Sequence, residues 1–398
     1  MSHSCSFCIC GAGITGLSIA RELLAHGVDD ILILDKEDAP GRHASGRNSG
    51  VLHAGIYYAP GSLRAKVCLE GNRAMRDYCR EHGLPLIEPG KVIVARNEAE
   101  LPTLLQLFER ATINGAEPRL IDEQELAEIE PNARTTGHAL FSPFTSQVDP
   151  QAVLAELRRE LTASGKVRFL FETRFLNRVD ETTIRTTAGD IRFAFFVNAA
   201  GAHADRVAHP FGLGRDYVLV PFKGLYRKLK KGLEDSCRGS IYPVPDIRNP
   251  FLGIHFTRSV HGDVYLGPTA IPAFGRENYG ILRGMDAEAP AILWRDAKLF
   301  FTNPKFRQVA LTEPRKYCFS AFFNDAKKLV KQLDPADIEP STKVGIRPQL
   351  VNKKTGELVM DFVIEQDNNS IHVLNAISPA FTSAFSFAKI VTGKALRE

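Results

Sequence analysis

The chain has 398 residues, which at roughly 150 residues per domain indicates two to three domains and excludes a single small binding module. A composition of 44% hydrophobic and 24% charged residues is that of a globular protein, and it excludes fibrous and disordered chains. Fifty basic residues exceed 46 acidic residues by only four, so nucleic acid is not expected as a partner.

The sequence predicts no export signal and no membrane span. The N-terminus lacks a basic segment followed by an apolar one, and no stretch reaches the ~18 apolar residues that a spanning helix needs. The seven cysteines are odd in number and scattered, which does not fit a disulfide framework. We therefore expect a reducing, cytoplasmic location.

Three of the cysteines lie close together near the N-terminus. Cys5, Cys8 and Cys10 include the CxxC spacing of a metal-binding pair, but no second pair matches it. Their place in and just before a strand-like run favours small, buried side chains instead. The sequence therefore predicts no metal site.

The first 35 residues are typical of a βαβ unit. Phe7–Cys10 form a short apolar strand, and the segment from Ile14 repeats apolar residues at helical spacing until Gly27, which ends the helix. Asp30–Asp35 then form a second apolar strand bounded by acids. This order of elements predicts a Rossmann-like nucleotide-binding fold.

Three glycines between the first strand and the helix form a dinucleotide fingerprint. Gly11 allows the turn, Gly13 lets backbone amides approach a pyrophosphate, and Gly16 lets the helix pack on the strand. Asp35 ends the next strand 24 residues after Gly11, where a carboxylate can accept the hydroxyls of a ribose. On this motif alone FAD and NAD both remain open.

A second region follows the βαβ unit. A helical pattern covers 63–82, a strand covers Lys91–Ala95, and two short helices are predicted at 101–115 and 122–131. Asp149–Gly165 form a further helix, because this segment has Asp as its cap, Pro at the first helical position and Gly at the end.

The second half of the chain is predicted to contain more β-structure. Residues 217–270 alternate β-branched and aromatic runs with Gly and Pro, which indicates an antiparallel sheet. A helical stretch to about Asp334 and three further strands follow. Ser378 as cap and Pro379 as first residue are then expected to open the last helix.

A glycine-rich segment, GRHASGRNSGVLHAG at 41–55, carries a specific resemblance. Together with PFKG (221–224), FLGIHFTR (251–258), GIRPQL (345–350) and HVLNAISPAFTS (372–383), it resembles the L-2-hydroxyglutarate oxidase and dehydrogenase family. That family belongs to the wider group of FAD-dependent enzymes similar to D-amino-acid oxidase. The segments occur in the same order over nearly the whole chain.

The resemblance implies an α/β fold of two domains. A Rossmann-like FAD-binding domain would comprise 1–82, 145–216 and 341–398. A second, α+β domain with a mainly antiparallel sheet would comprise 83–144 and 217–340 and bind the substrate.

The resemblance also implies that FAD, and not NAD, binds at the glycine turn. The loop at 42–50 would run beside the flavin ring, and the segment VNAAGAHAD at Val197–Asp205 would line the cofactor. The positive end of the last helix would face the pyrimidine edge of the flavin. Beyond the three fingerprint glycines and Asp35, the expected cofactor residues are Arg42, Ser45, Arg47, Asn48, Ser49, Gly50, Ala200, Gly201, Ser378 and Pro379.

Three residues are expected to carry the chemistry. Arg347 in GIRPQL matches the arginine that holds the substrate carboxylate in the wider group, and its planar guanidinium suits bidentate binding. His53 and His255 are the candidate proton acceptors, of which His53 is favoured because its loop is expected at the flavin face. Either histidine alone is equally compatible with a hydrogen-bonded core residue.

Four further side chains are secondary candidates for the second carboxylate of the substrate or for its hydrogen bonds. They are Tyr57, Tyr58, Lys223 and Arg258.

The expected reaction is oxidation of L-2-hydroxyglutarate, or a similar 2-hydroxy acid, to 2-oxoglutarate by hydride transfer to the flavin. An amine or amino-acid oxidase of the same FAD-dependent group is the alternative enzyme. A flavin-binding module without turnover is a third hypothesis, which the presence of candidate catalytic residues disfavours. The electron acceptor is expected to be oxygen or a quinone.

Basic residues beside aromatic ones predict a peripheral contact with the inner membrane surface. Lys223–Lys231 contain five basic residues within nine, and 294–331 interleave Lys and Arg with six Phe residues. The alternative is that these Phe side chains fill the core of the substrate domain. They are Phe300, Phe301, Phe306, Phe319, Phe322 and Phe323.

Overall fold

The computed structural model describes residues 3–245 and 252–397. The chain divides into two compact units, each assembled from separate segments. The first unit comprises Met1–Asn48, Pro150–Pro221 and Arg347–Glu398. The second comprises Ser49–Asp149 and Phe222–Ile346.

Strands and helices are numbered here in chain order within the described residues. The strands are β1 (His3–Cys10), β2 (Ile31–Leu34), β3 (Val51–Leu52), β4 (Leu86–Ile87), β5 (Lys91–Val94), β6 (Arg119–Ile121), β7 (Ala139–Ser142), β8 (Ser146–Val148), β9 (Val167–Leu170), β10 (Phe175–Arg178), β11 (Thr183–Thr186), β12 (Gly189–Asn198), β13 (Tyr217–Leu229), β14 (Ser240–Pro243), β15 (His255–Arg258), β16 (Val264–Gly267), β17 (Ile271–Pro272), β18 (Ile338–Asn352), β19 (Val363–Gln366) and β20 (Ser370–Asn375). The α-helices are α1 (Ile14–Ala25), α2 (Leu63–Glu81), α3 (Leu101–Ile113), α4 (Glu123–Ile129), α5 (Pro150–Ala163), α6 (Ala204–Ala208), α7 (Ala289–Thr302), α8 (Pro304–Thr312), α9 (Phe319–Lys327) and α10 (Ala384–Leu396).

The first unit contains the predicted Rossmann-like sheet. Strand β1 lies between β2 and β12 and is parallel to both, and β9 and β20 extend the parallel part on either side. Helix α1 packs against α5 and α10. Strand β1 is longer than predicted, and Cys5, Cys8 and Cys10 are buried in it, as the small side chains of a central strand should be. The α/β fold is therefore confirmed.

The second unit contains a mainly antiparallel sheet, as predicted. Its strand order is β17, β13, β16, β15, β14, β5, β7 and β6, and the pair of β5 with β14 is parallel. A small separate sheet joins β3, β8 and β4. Strands β5, β14 and β15 lie side by side, and they position the polar side chains described below.

The units differ from the sequence-based boundaries chiefly at 49–82, which were expected in the FAD-binding domain and pack in the second unit. Strand β3 pairs with β8 of that unit, and the Asn72 amide of α2 donates hydrogen bonds to the carbonyls of Leu52 and Phe144, at 3.2 and 3.1 Å. These long-range contacts tie the segment to the second unit. The other boundaries differ by at most six residues.

The start of the last helix was predicted wrongly. Helix α10 begins at Ala384, and Ser383 occupies its N-cap position, with the Phe387 N–H donating to the Ser383 carbonyl at 2.8 Å. Ser378 and Pro379 lie in a preceding turn, in which the Ser383 N–H donates to the Pro379 carbonyl at 2.9 Å. The Ser-Pro pair therefore forms part of a turn and does not cap the helix.

The remaining helix predictions agree well with the structure. Helix α2 ends one residue before the predicted 63–82, and α5 lies within the predicted Asp149–Gly165. In the described part of the chain, no helix combines the length and the apolar character that crossing a bilayer requires.

Candidate functional site

The backbone N–H groups of the glycine turn in the first unit donate hydrogen bonds to the end of β2 and to the side chains of Asp35 and Ser45. The Gly11 N–H donates to the Leu34 carbonyl at 2.8 Å, and the Ala12 N–H donates to Oδ2 of Asp35 at 2.7 Å. The Ile14 N–H donates to Oγ of Ser45 at 2.9 Å. The predicted residues Gly11, Asp35 and Ser45 are therefore brought together at the start of α1.

The three glycines have different surroundings. A Cβ atom on Gly11, whose φ is +115°, would lie 2.5 Å from the Ala199 carbonyl oxygen, and one on Gly16 would lie 1.9 Å from the Gly11 carbonyl oxygen. A Cβ atom on Gly13 would meet only the side chain of Ser45, with Oγ at 2.9 Å. Gly11 and Gly16 are thus required by the fold. Gly13 instead borders the space beside the Ser45 side chain, which a larger residue would begin to fill, and we call this space the cradle. This arrangement fits a bound dinucleotide.

Asp35 contributes both carboxylate oxygens to the local backbone. Besides the bond from Ala12, its Oδ1 accepts a hydrogen bond from the Glu37 N–H at 2.9 Å. The contact with a ribose stays a prediction, and each oxygen retains capacity for a further donor.

The loop after β2 is stabilised by its own side chains. Arg42 forms a bidentate ion pair with Asp38, with distances of 2.6 and 2.8 Å, and Nε of Arg47 donates to the Arg42 carbonyl at 2.7 Å. The Asn48 amide donates to the Ser45 carbonyl at 2.6 Å. The loop therefore presents the Ser45 hydroxyl to α1, and the cofactor contacts of Arg42, Arg47 and Asn48 stay predictions.

A buried network supports the segment VNAAG that follows β12. The Asn198 amide donates to the Ala204 carbonyl at 2.8 Å and lies 3.0 Å from Nδ1 of His372, while its oxygen accepts from the Ala200 N–H at 3.1 Å. Burial lowers the pKa of His372 to about 3, so this imidazole is neutral. The network fixes Ala200 and the following Gly201, whose φ is +54°.

The second unit brings both candidate histidines into one buried cluster. We call His53, Tyr57, Lys91, Tyr242 and His255 the histidine cluster. The rings of Tyr242 and His255 stack with their centroids 3.8 Å apart, and Nζ of Lys91 lies 4.5 Å from the ring centroid of Tyr57 and 4.9 Å from that of Tyr242. Electrostatic interactions couple His53 to Lys91 and to His255.

Both imidazoles of the histidine cluster are neutral near pH 7. Burial, followed by repulsion from Lys91, holds the pKa of His53 well below its usual value. Burial lowers the pKa of His255 to about 3, and its Nδ1–H donates to the Gly253 carbonyl at 2.8 Å. Because a carbonyl can only accept, Nε2 of His255 carries the lone pair.

Neighbouring residues fix the backbone at His53. The Asn72 amide and the Cys68 thiol each donate to the His53 carbonyl at 3.2 Å. Burial raises the pKa of Cys68 to about 12, so the thiol keeps its proton and remains a donor. Part of the His53 surface is exposed, whereas His255 is only 5% exposed. His53 is therefore the more accessible of the two histidines.

Three of the secondary candidates for substrate contacts, Tyr58, Lys223 and Arg258, each interact with a different neighbour. The ring of Tyr58 is covered by the Arg64 guanidinium at 4.5 Å. The Lys223 ammonium is buried and donates to Oδ1 of Asn278 at 3.0 Å and to the Gly280 carbonyl at 2.6 Å. Arg258 lies 3.6 Å from Asp235. Their roles toward a substrate stay predictions, and Lys223 in particular stabilises the loop around Asn278.

The other predicted residues lie at the limits of the units. Arg347 is half-buried on β18, at the start of the last segment of the first unit. Ser49 and Gly50 begin the second unit, and the Gly50 carbonyl accepts from the Val148 N–H at 2.9 Å.

Sequence reasoning missed Lys91 and Tyr242. A signal for Lys91 existed, because the alternation of a strand places it on the same face of β5 as Ile93 and Ala95, which are buried. A lysine on that face has no route to solvent along the strand. Tyr242 lies in a run whose residues are all buried, so its sequence indicated only a core position.

Comparisons with known proteins find relatives over nearly the whole chain. A model of the DAO family, described as FAD dependent oxidoreductase, matches residues 6–393. The L-2-hydroxyglutarate dehydrogenase of Escherichia coli (strain K12) is 34% identical over 392 residues, covering 98% of this chain and 92% of that protein. The mitochondrial L-2-hydroxyglutarate dehydrogenase of Mus musculus is 35% identical over 409 residues, covering 97% and 87%.

A solved structure shares the fold. Dithionite-reduced L-alpha-glycerophosphate oxidase from Mycoplasma pneumoniae, with FAD bound, matches with a TM-score of 0.78 and 21% identity. The match covers 99% of this chain and 95% of that chain.

Proposed function

Because the chain belongs to the DAO family of FAD-dependent oxidoreductases, we propose that it oxidises L-2-hydroxyglutarate, or a closely similar 2-hydroxy acid, to the 2-oxo acid. The single observation in the fold that carries the proposal is the pair of neutral imidazoles, His53 and His255, in one buried cluster. Oxidation of an alcohol requires a group that takes the hydroxyl proton, and a neutral imidazole can do so. The names of the relatives supply the substrate class.

The proposed proton acceptor is His53, the more accessible of the pair. Its pKa is low without substrate, which would make it a weak base. A bound dicarboxylate adds two negative charges, and nearby negative charge raises the pKa of an imidazole. Binding of the substrate would therefore bring His53 closer to the range in which it accepts a proton readily.

Tyr57 is proposed as a hydrogen-bond donor to the substrate. Its hydroxyl is buried and has no hydrogen-bond partner among the described residues. Burial raises the pKa of Tyr57 well above its usual value, so the hydroxyl stays protonated. A buried donor of this kind gains free energy when a ligand oxygen accepts its proton.

The proposed cofactor contacts lie in the first unit. Gly13 and the N-terminus of α1 would hold the pyrophosphate of FAD, Ser45 would line the same cradle, and Ala200 and Gly201 would line its other side. Bound FAD supplies the acceptor for the hydride that leaves the alcohol carbon. Arg347 is proposed to bind the carboxylate next to that carbon through two parallel N–H donors.

An anaerobic titration tests the proposed reaction. Adding L-2-hydroxyglutarate to the FAD-loaded protein should bleach the visible flavin band, because the two electrons stay on the flavin when no acceptor is present. D-2-hydroxyglutarate is the matched control, since it has the same charges and the opposite configuration. Bleaching by D-amino acids or sarcosine, and none by L-2-hydroxyglutarate, would instead establish the amine or amino-acid oxidase.

We also propose that helix α7 lies on anionic lipid, which would bring a membrane quinone within reach as the electron acceptor, with oxygen as the other candidate. The surface differs from the predicted one, because Phe306, Phe322 and Phe323 are buried in the core. Trp294 and Phe301 are instead 72% and 76% exposed. They are seven residues apart on α7 and so share one face.

Basic and apolar side chains are combined on and around this helix. Lys298 on α7 and Lys305 on α8 are exposed, and each basic group near an anionic membrane contributes about 1 kcal/mol. The exposed apolar residues of this part of the chain are Ile281, Leu282, Met285, Leu293, Trp294, Phe301, Leu311 and Tyr317.

Co-sedimentation with vesicles tests the lipid contact. We expect binding to vesicles with anionic lipid that weakens from low to high salt, and none to neutral vesicles. Replacing both Trp294 and Phe301 with Ser should reduce binding, whereas Ile113→Ser, at an exposed position of α3, should not. The absence of salt-sensitive binding would leave oxygen or a soluble carrier as the acceptor.

A further inference from the structure

The Lys91 ammonium is buried without the hydrogen bonds that a buried charge usually has. Lys91 is 1% exposed, and its Nζ has no hydrogen-bond partner among the described residues. Burying an ammonium without hydrogen bonds is costly, so the position needs compensation and a reason. The faces of Tyr57 and Tyr242, at 4.5 and 4.9 Å, give partial compensation through cation–π attraction.

The surroundings of Lys91 contain several titratable groups. His53 and Tyr57 lie in the segment after β3, Tyr242 lies on β14, and His255 lies on β15. Arg64 and Cys68 of α2 also act on this cluster, and Lys316 acts on His255. The side chains that lower the pKa of His53 or His255 include the cations Lys91, Arg64 and Lys316.

A second cation in the histidine cluster would be unfavourable. His255 stacks on the Tyr242 ring at 3.8 Å, and the Lys91 ammonium faces the same ring. The ring quadrupole can stabilise one cation, but two cations around one ring repel each other with little solvent to screen them. A charge on Lys91 therefore opposes a charge on either imidazole.

We propose that Lys91 is a positioning residue that occupies the cation site of the histidine cluster, keeping His53 and His255 neutral so that His53 can accept the hydroxyl proton of the substrate. This role rests on the proposed function. The order of protonation supports it: burial lowers the pKa of Lys91 to about 7 and that of His255 to about 3. On acidification, the first proton goes to the amine.

A titration of the FAD-loaded protein without substrate tests the role directly. ¹⁵N NMR of labelled histidine and lysine should show, in the wild type, that Lys91 titrates at a higher pH than His53 and His255. In Lys91→Met, the midpoints of both histidines should rise by about one pH unit, because a nearby cation that favoured the neutral imidazole is gone. Lys91→Arg keeps the cation and should keep the midpoints low.

The matched control is Lys343→Met. Lys343 is a half-buried lysine of the second unit, with its Nζ over the rings of Tyr226 and Tyr265 at 5.6 and 4.5 Å, and burial lowers its pKa to about 8. The cations that lower the pKa of His53 are Lys91 and Arg64, and those that lower the pKa of His255 are Lys91 and Lys316. This variant should therefore leave both histidine midpoints where they are in the wild type.

The pH profile of flavin reduction gives a second readout. The acidic limb should move upward by the same amount in Lys91→Met, so that the loss of rate is largest below pH 7 and small above pH 8. A uniform loss at all pH values with unmoved histidine midpoints would overturn the proposal and leave Lys91 a packing residue. Histidines that titrate before Lys91 in the wild type would overturn it without any variant.

The two proposals can fail separately. If L-2-hydroxyglutarate does not bleach the flavin of the wild type, the proposed function fails. The NMR titration still decides whether Lys91 controls the charge of the histidines, because it uses no substrate.

Discussion

Replacing His53 with Ala is expected to slow flavin reduction by L-2-hydroxyglutarate by about 100-fold, the usual contribution of a positioned general base. The hydroxyl proton must leave as the hydride does, and without the imidazole it would have to pass to water. The rate of bleaching in an anaerobic stopped-flow experiment measures this step. Retention of FAD should be unchanged, since the residues proposed to hold the cofactor, Gly13 and Ser45 among them, do not include His53.

His255→Ala is the comparison that distinguishes the two histidines. His255 donates through Nδ1 to Gly253 and stacks on Tyr242, so its loss should disturb the cluster and reduce the rate less than the loss of His53 does. A larger loss in His255→Ala would make His255 the base. If neither variant slowed reduction, the proton would pass to another group, and the proposed mechanism would be wrong.

The acidic limb of the pH profile should also disappear in His53→Ala. The pKa of His53 is lowered in the folded protein, so the imidazole is available as a base above that pKa and is lost to protonation below it. A variant without the imidazole has nothing to titrate there, and its slow residual rate should be flat. Lys91→Met, in contrast, should retain the limb at a higher pH.

The βαβ unit could be predicted because its signals are local. The run of apolar residues, the three glycines and Asp35 all lie within 35 residues. Each of them favours a particular backbone structure close to its own position in the sequence. The structure adds why the glycines are needed: Gly16 packs against Gly11, and Gly11 packs against Ala199, almost 190 residues away in the sequence. That second contact could not be read from the motif.

A local turn and a contact between distant segments account for two differences between the sequence-based expectations and the structure. A Ser-Pro pair favours a helix start, but the turn at 378–383 closes on itself and delays α10 to Ala384. The resemblance placed 49–82 in the FAD-binding domain, whereas the amide of Asn72 joins this segment to the second unit. In the first case a local turn, and in the second a contact between distant segments, outweighs the preference read from the sequence.

The burial of Lys91 at the candidate site was also difficult to predict from the sequence. A lysine at the first position of a strand usually reaches solvent, and the one sign against it here is that strand alternation places Lys91 on the same face as Ile93 and Ala95. Its burial follows from β14 and β7, which flank β5, and from the two tyrosine rings that cover its ammonium. The motifs could identify candidate bases, but only the structure shows the cation that would control their charge.

Replacing Arg347 with Ala is expected to weaken substrate binding by on the order of 2 to 4 kcal/mol, the cost of leaving a carboxylate without its charge-assisted partner. This corresponds to a roughly 30- to 700-fold increase in Kd. Arg347→Lys should lose less, because an ammonium keeps the charge and loses the bidentate geometry. Kd is measured from the change in the flavin spectrum on binding of the product 2-oxoglutarate, which causes no turnover.

The choice of ligand tests which carboxylate Arg347 binds. 2-Oxoglutarate has two carboxylates, whereas 2-oxobutyrate has only the one beside the oxo carbon. If Arg347 binds that group, both ligands should lose affinity by a similar factor in Arg347→Ala. The control is Arg185→Ala, in the same unit, where the guanidinium forms an exposed ion pair with Asp190 and should contribute nothing to binding. A loss confined to 2-oxoglutarate would assign Arg347 to the distal carboxylate, and unchanged affinity for both would remove it from the substrate site.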